Sequence, residues 1–89
     1  MIQRAIRVYK YLLSIGQRIT TPELFKRAHS DGIISDYSKL YQSLRLLKKV
    51  GLVDQRSRGI VSEWEVIRVV DDEEELYRIL SGSRPSRQL

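Results

Sequence analysis

Leucines at positions 40, 44 and 47, followed without a gap by Gly51-Leu52-Val53, constrain this chain more than any other feature. Their i, i+4, i+7 spacing puts three side chains on one stripe of an amphipathic helix, predicted to run from Ser35 or Asp36 to Val50. Gly51 ends that helix, and Leu52-Val53 opens an extended segment. A helix so striped lies on other helices, which leaves Ser38, Lys39, Tyr41, Gln42 and Arg45 pointing away from the core. That remaining face is polar, basic and aromatic.

The packing partners are legible upstream. Ile2, Ala5, Ile6, Tyr9, Leu12 and Leu13 recur at helical spacing over residues 2–15, and Gly16 stops the run. Thr20-Thr21-Pro22-Glu23 starts a second helix: either Thr20 forms a capping box with Glu23, or Thr21 caps with Pro22 at the first helical position. This helix turns Leu24, Phe25 and Ala28 inward, leaves His29 outside and stops near Asp31-Gly32. Downstream, Arg56-Ser57-Arg58-Gly59 reads as a hairpin tip, and the β-branched residues 60–70 form the return strand, with Trp64 and Val66 facing the core. Acids at 71–75 oppose the positive end of a fourth helix dipole, and Leu76, Ile79 and Leu80 give that helix a narrow apolar stripe. The fold class is therefore α+β. A three-helix core with a β-hairpin occupies residues 1–70, a short C-terminal helix 71–81 and a flexible tail 82–89.

Charge is unevenly placed. Residues 1–60 hold twelve lysines and arginines against four acids, whereas residues 61–89 hold four against seven. A basic lobe of this kind is the footprint of a chain that displaces counterions from a polyanion. With 89 residues there is room for one domain. Cysteine is absent and His29 is the only histidine, so disulfides, thiolate metal sites and His clusters are excluded, and no cofactor is expected. The acids at 71–75 read as a solvated helix start, and the five tyrosines are too scattered to line one nucleic-acid strand. No nucleophile–base pair, paired catalytic carboxylates or phosphate-cradling glycine loop points to an enzyme. No apolar run approaches the roughly 18 residues that span a bilayer, which predicts a cytoplasmic protein.

The stretch Ser38-Lys39-Leu40-Tyr41-Gln42-Ser43-Leu44-Arg45-Leu46-Leu47-Lys48-Lys49-Val50-Gly51-Leu52-Val53 resembles the recognition-helix consensus of winged helix-turn-helix transcription regulators. The wider resemblance covers about residues 2–70 and is nearest to small bacterial and archaeal regulators of the MarR, PadR and ArsR type. It implies double-stranded DNA as partner, with Ser38, Lys39, Tyr41, Gln42 and Arg45 entering the major groove. Arg56 and Arg58 would lie on phosphates or in a minor groove, and Arg18 and Thr21 beside a phosphate at the start of the second helix. Leu76, Ile79 and Leu80 are the candidate contact of a homodimer, the alternative being that they pack back onto the first helix. The ligands of metal-sensing relatives are missing, and no small-molecule effector site is evident. A competing function is a winged helix that docks onto other proteins within a larger assembly.

Overall fold

The computed structural model describes residues 2–82. Four helices and three strands follow one another as α1 (Ile2–Ile15), β1 (Ile19–Thr20), α2 (Thr21–Ser30), α3 (Tyr37–Lys49), β2 (Val53–Arg58), β3 (Val61–Val66) and α4 (Glu73–Leu80). This is an α+β fold with an antiparallel sheet ordered β1-β3-β2, an architecture compatible with a winged helix. Beyond Gly82, the expected tail lies outside the described residues.

Local chemistry accounts for the element boundaries. Thr20 is the N-cap of α2, its hydroxyl accepting from Glu23 N–H at 3.4 Å, so Pro22 falls within the first turn. Asp36 caps α3 through the Lys39 N–H at 2.8 Å, and Asp72 caps α4 through that of Glu74 at 3.0 Å. At the far end of α3, Gly51 takes a φ of +83°. Its N–H donates to Lys48 O at 3.0 Å and that of Leu52 to Leu47 O at 2.9 Å, the paired bonds of a Schellman cap. Leu47 and Leu52 are both buried where this cap brings the chain back. The Gly-Leu-Val ending is thus a device that turns the chain off α3 and directly into β2.

The leucine stripe is buried as expected: Leu40, Leu44 and Leu47 form the core with Ala5, Tyr9 and Leu12 of α1 and with Trp64 of β3. Ser43 shares the stripe at no cost in unpaired groups, because its hydroxyl donates to the Lys39 carbonyl one turn back. Val66, expected inward, is only half-buried.

Two expectations are corrected. The return strand ends at Val66 instead of continuing to 70, because the Tyr9 hydroxyl holds the chain beyond it. That hydroxyl donates to Arg68 O at 2.5 Å and accepts from Val70 N–H at 2.9 Å. The second correction follows from the first. Pinned to α1 at residues 68–70, the chain lays α4 on α1, and Leu76 and Leu80 are 1% and 4% exposed within this one chain. They belong to the core and offer no free stripe to a second copy; Ile79 is half-buried at its edge.

Candidate nucleic-acid interface

Helix periodicity sorts the exposed side chains of α3. At about 100° per residue, Ser38, Gln42, Arg45 and Lys49 fall in a single row, diametrically opposite the buried Leu40, Ser43, Leu44 and Leu47. All four are exposed. Neither Arg45 nor Lys49 forms an ion pair with any acid among the described residues.

Tyr41 and Lys48 flank this row on the side of the hairpin. The Tyr41 ring stands edge-on to Trp64 with centroids 6.1 Å apart. Lys48 Nζ donates to Gln55 Oε1 at 3.0 Å, and Gln55 Nε2 donates to Ser62 Oγ at 2.8 Å, so a chain of hydrogen bonds runs from α3 across β2 to β3. Between helix and strand lies an open concavity of about 640 Å³, lined by Tyr41, Gln42, Arg45, Leu46, Lys48, Lys49 and Gln55. Lys39 is on the opposite flank, with Nζ 3.8 Å from Asp36. The residues expected together are therefore divided: Ser38, Gln42 and Arg45 share the row, Tyr41 faces the hairpin, and Lys39 faces α1.

The hairpin is electrostatically different. Asp54, Arg56 and Arg58 alternate onto its outer face, opposite Glu65, Glu63 and Val61. Arg58 pairs with Glu63 at 2.9 Å, while Arg18, just before β1, reaches Glu65 at 3.0 Å and Glu63 at 3.9 Å. Three cations thus share one face with three acids, which leaves little net field there. Sequence alone leaves Arg18 and Arg58 open to phosphate, because only the strand register sets glutamates beside them.

Two further expectations are corrected. The hairpin tip is Gly59-Ile60, two residues later than Arg56-Ser57-Arg58-Gly59. Gly59 has a φ of +64° and Ile60 does not have positive φ, the pattern of a two-residue turn needing left-handed backbone only at its first position. Arg56 accordingly sits mid-strand across from Glu63, and the fully exposed side chain at the tip is Ile60. Thr21 is buried at 3% exposure. Its hydroxyl accepts from Trp64 Nε1 at 2.7 Å and donates to Ser62 O at 3.2 Å, so it satisfies the indole that the core encloses and is not available to a phosphate.

Lys48, Lys49 and Gln55 were not among the expected site residues. Lys49 was legible, being four residues beyond Arg45 on the same row; Gln55 needed the hairpin register to be seen. Among the described residues, no group of three or more His, Asp or Glu is gathered to hold a metal, and no helix is long and apolar enough to cross a membrane. Comparison with known protein families, with curated proteins and with solved structures finds no match to this chain.

Proposed function

We propose that this chain is a winged helix-turn-helix protein that binds double-stranded DNA and regulates transcription, with α3 as the reading helix. The observation that carries the reading is the row Ser38-Gln42-Arg45-Lys49, whose cations have no acidic partner among the described residues although acids neutralise the neighbouring hairpin face. An α-helix with its side chains is about 10–12 Å across and enters a major groove about 12 Å wide. Gln42 suits the N6/N7 edge of adenine, Arg45 the O6/N7 edge of guanine, and Lys48 and Lys49 the phosphates alongside. Because Leu76 and Leu80 are occupied within the chain, a homodimer reading two half-sites has to form through other surfaces.

Fluorescence anisotropy with duplex DNA across a salt series tests this. Affinity should fall as salt rises, with a log–log slope of about −0.9 per phosphate contacted. Arg45→Ala should lose about 1–3 kcal/mol on the preferred duplex and much less on random sequence. No binding at low salt, or binding indifferent to salt, sinks the proposal.

One observation favours a second reading, a protein-docking module. Ile60 stands fully exposed beside a concavity lined by Pro22, Tyr37, Tyr41 and Val61, none of them charged. Under that reading duplex binding is weak and Arg45→Ala does not change it.

A further inference from the structure

The α1 flank of α3 carries cations that the reading above leaves unused. Arg4 and Arg7 lie one turn apart on α1 and share a concavity with Lys39 of α3, bordered by the α2–α3 turn at Gly32, Ile34 and Ser35. Neither arginine has a hydrogen bond or ion pair with any described residue. The acids of residues 1–60 are Glu23, Asp31, Asp36 and Asp54. Glu23 pairs with Arg27 at 2.9 Å, and Asp31 accepts from the Tyr11 hydroxyl at 2.6 Å. Asp36 caps α3 and lies 3.8 Å from Lys39 Nζ, an exposed pair that a phosphate can compete for, and Asp54 is on the hairpin. Neither these acids nor those at 63–75 form an ion pair with Arg4 or Arg7, whose guanidinium groups suit phosphate oxygens.

We infer that Arg4, Arg7 and Lys39 form a second contact surface for duplex DNA, which holds the sugar-phosphate backbone of the strand on the α1 side of α3. This rests on the proposed DNA-reading role of α3. A helix seated in the major groove has one strand's phosphates along each flank. On the hairpin flank Lys48 is in position, and on the other flank Lys39, Arg4 and Arg7 are. The duplex is then gripped from both sides, and α1 joins the interface.

Salt-dependent anisotropy separates this from the parent proposal. Wild-type protein, Arg4→Ala/Arg7→Ala, Arg4→Lys/Arg7→Lys and Arg78→Ala, which removes from α4 a cation with no ion pair among the described residues, are compared on one duplex, with thermal melts confirming that each folds. The double alanine variant should flatten the salt slope by about 1.8, so that wild type loses about tenfold more affinity than the variant between 50 and 200 mM salt. The double lysine variant should keep most of the slope, and Arg78→Ala should keep all of it. If the alanine pair leaves the slope unchanged, or Arg78→Ala flattens it per charge as much, this contact surface is overturned while α3 still binds. If wild type shows no salt-dependent binding, the parent reading falls as well.

Discussion

The outer face of the hairpin and the outward row of α3 both carry cations, yet one is electrically closed and the other open. On the hairpin, antiparallel register sets Arg56 directly opposite Glu63, and Arg58 and Arg18 reach the same glutamates. On α3, the positions one turn from Arg45 are Gln42 and Lys49, so helical spacing provides no acid. Charge counted along a sequence becomes a field only where geometry keeps opposite signs apart. For this reason the basic lobe of residues 1–60 resolves into a neutral hairpin and a cationic helix, although the arginines of both look alike in one dimension.

The largest test of the contrast concerns Thr21, which either serves the interface or supports the hairpin. Replacing it by valine keeps the shape but leaves the buried Trp64 Nε1–H unpaired and removes the donor to Ser62 O. Unfolding by denaturant should show a loss of about 2 kcal/mol, within the usual cost of an unsatisfied buried group. Duplex affinity of the still-folded protein should be unchanged. A drop in affinity without loss of stability would return Thr21 to the interface.

A smaller effect comes from opening the closed face. Glu63→Gln removes the acid that serves both Arg58 and Arg18. The Glu63 side chain is only 12% exposed, but its partners Arg18 and Arg58 are 38% and 73% exposed, so stability should fall by no more than about 1 kcal/mol. The freed guanidinium groups should steepen the salt slope of duplex binding, by up to about 0.9 for each new phosphate contact. An unchanged slope would mean that the hairpin face does not meet the duplex even when its arginines are released.

The sequence was most informative where a periodic pattern sets the geometry alone. The stripe Leu40-Leu44-Leu47 and the Gly51-Leu52 cap define α3, and with it the row through Ser38, Gln42 and Arg45. It was least informative where the outcome depends on pairing across the chain. The two-residue shift of the hairpin tip and the neutralisation of Arg58 follow from the register Gln55↔Trp64, and the burial of Thr21 beside Trp64 from the register Ile19↔Trp64, neither of which a local rule dictates. For Leu76 and Leu80, sequence leaves two outcomes open for a related reason, and the structure shows the second, packing onto α1. An apolar stripe looks the same in sequence whether it meets a partner chain or its own first helix, and here the Tyr9 hydroxyl, 61 residues away from Val70, decides which.

The smallest effect tests why the open side stays open. Asp31 accepts from the Tyr11 phenol and forms no ion pair with an arginine among the described residues. That hydrogen bond is also the first cause of a raised Tyr11 pKa, with burial and the charge of Asp31 adding to it and Arg27 opposing it. The folded state therefore holds the phenolic proton more tightly than the unfolded chain does. The resulting stabilisation is complete below the unfolded value of about 10 and disappears as pH rises through the higher folded value. Tyr11→Phe should lower stability at neutral pH by less than about 1 kcal/mol, since the pair is exposed. The gap between wild type and variant should narrow above about pH 10. Deprived of its phenol, Asp31 becomes free to attract cations from α1, so the salt slope of duplex binding should flatten slightly. A variant with an undiminished slope would show that Asp31 has no hold on Arg4 and Arg7, and that distance from acids, not the phenol, keeps that flank of α3 cationic.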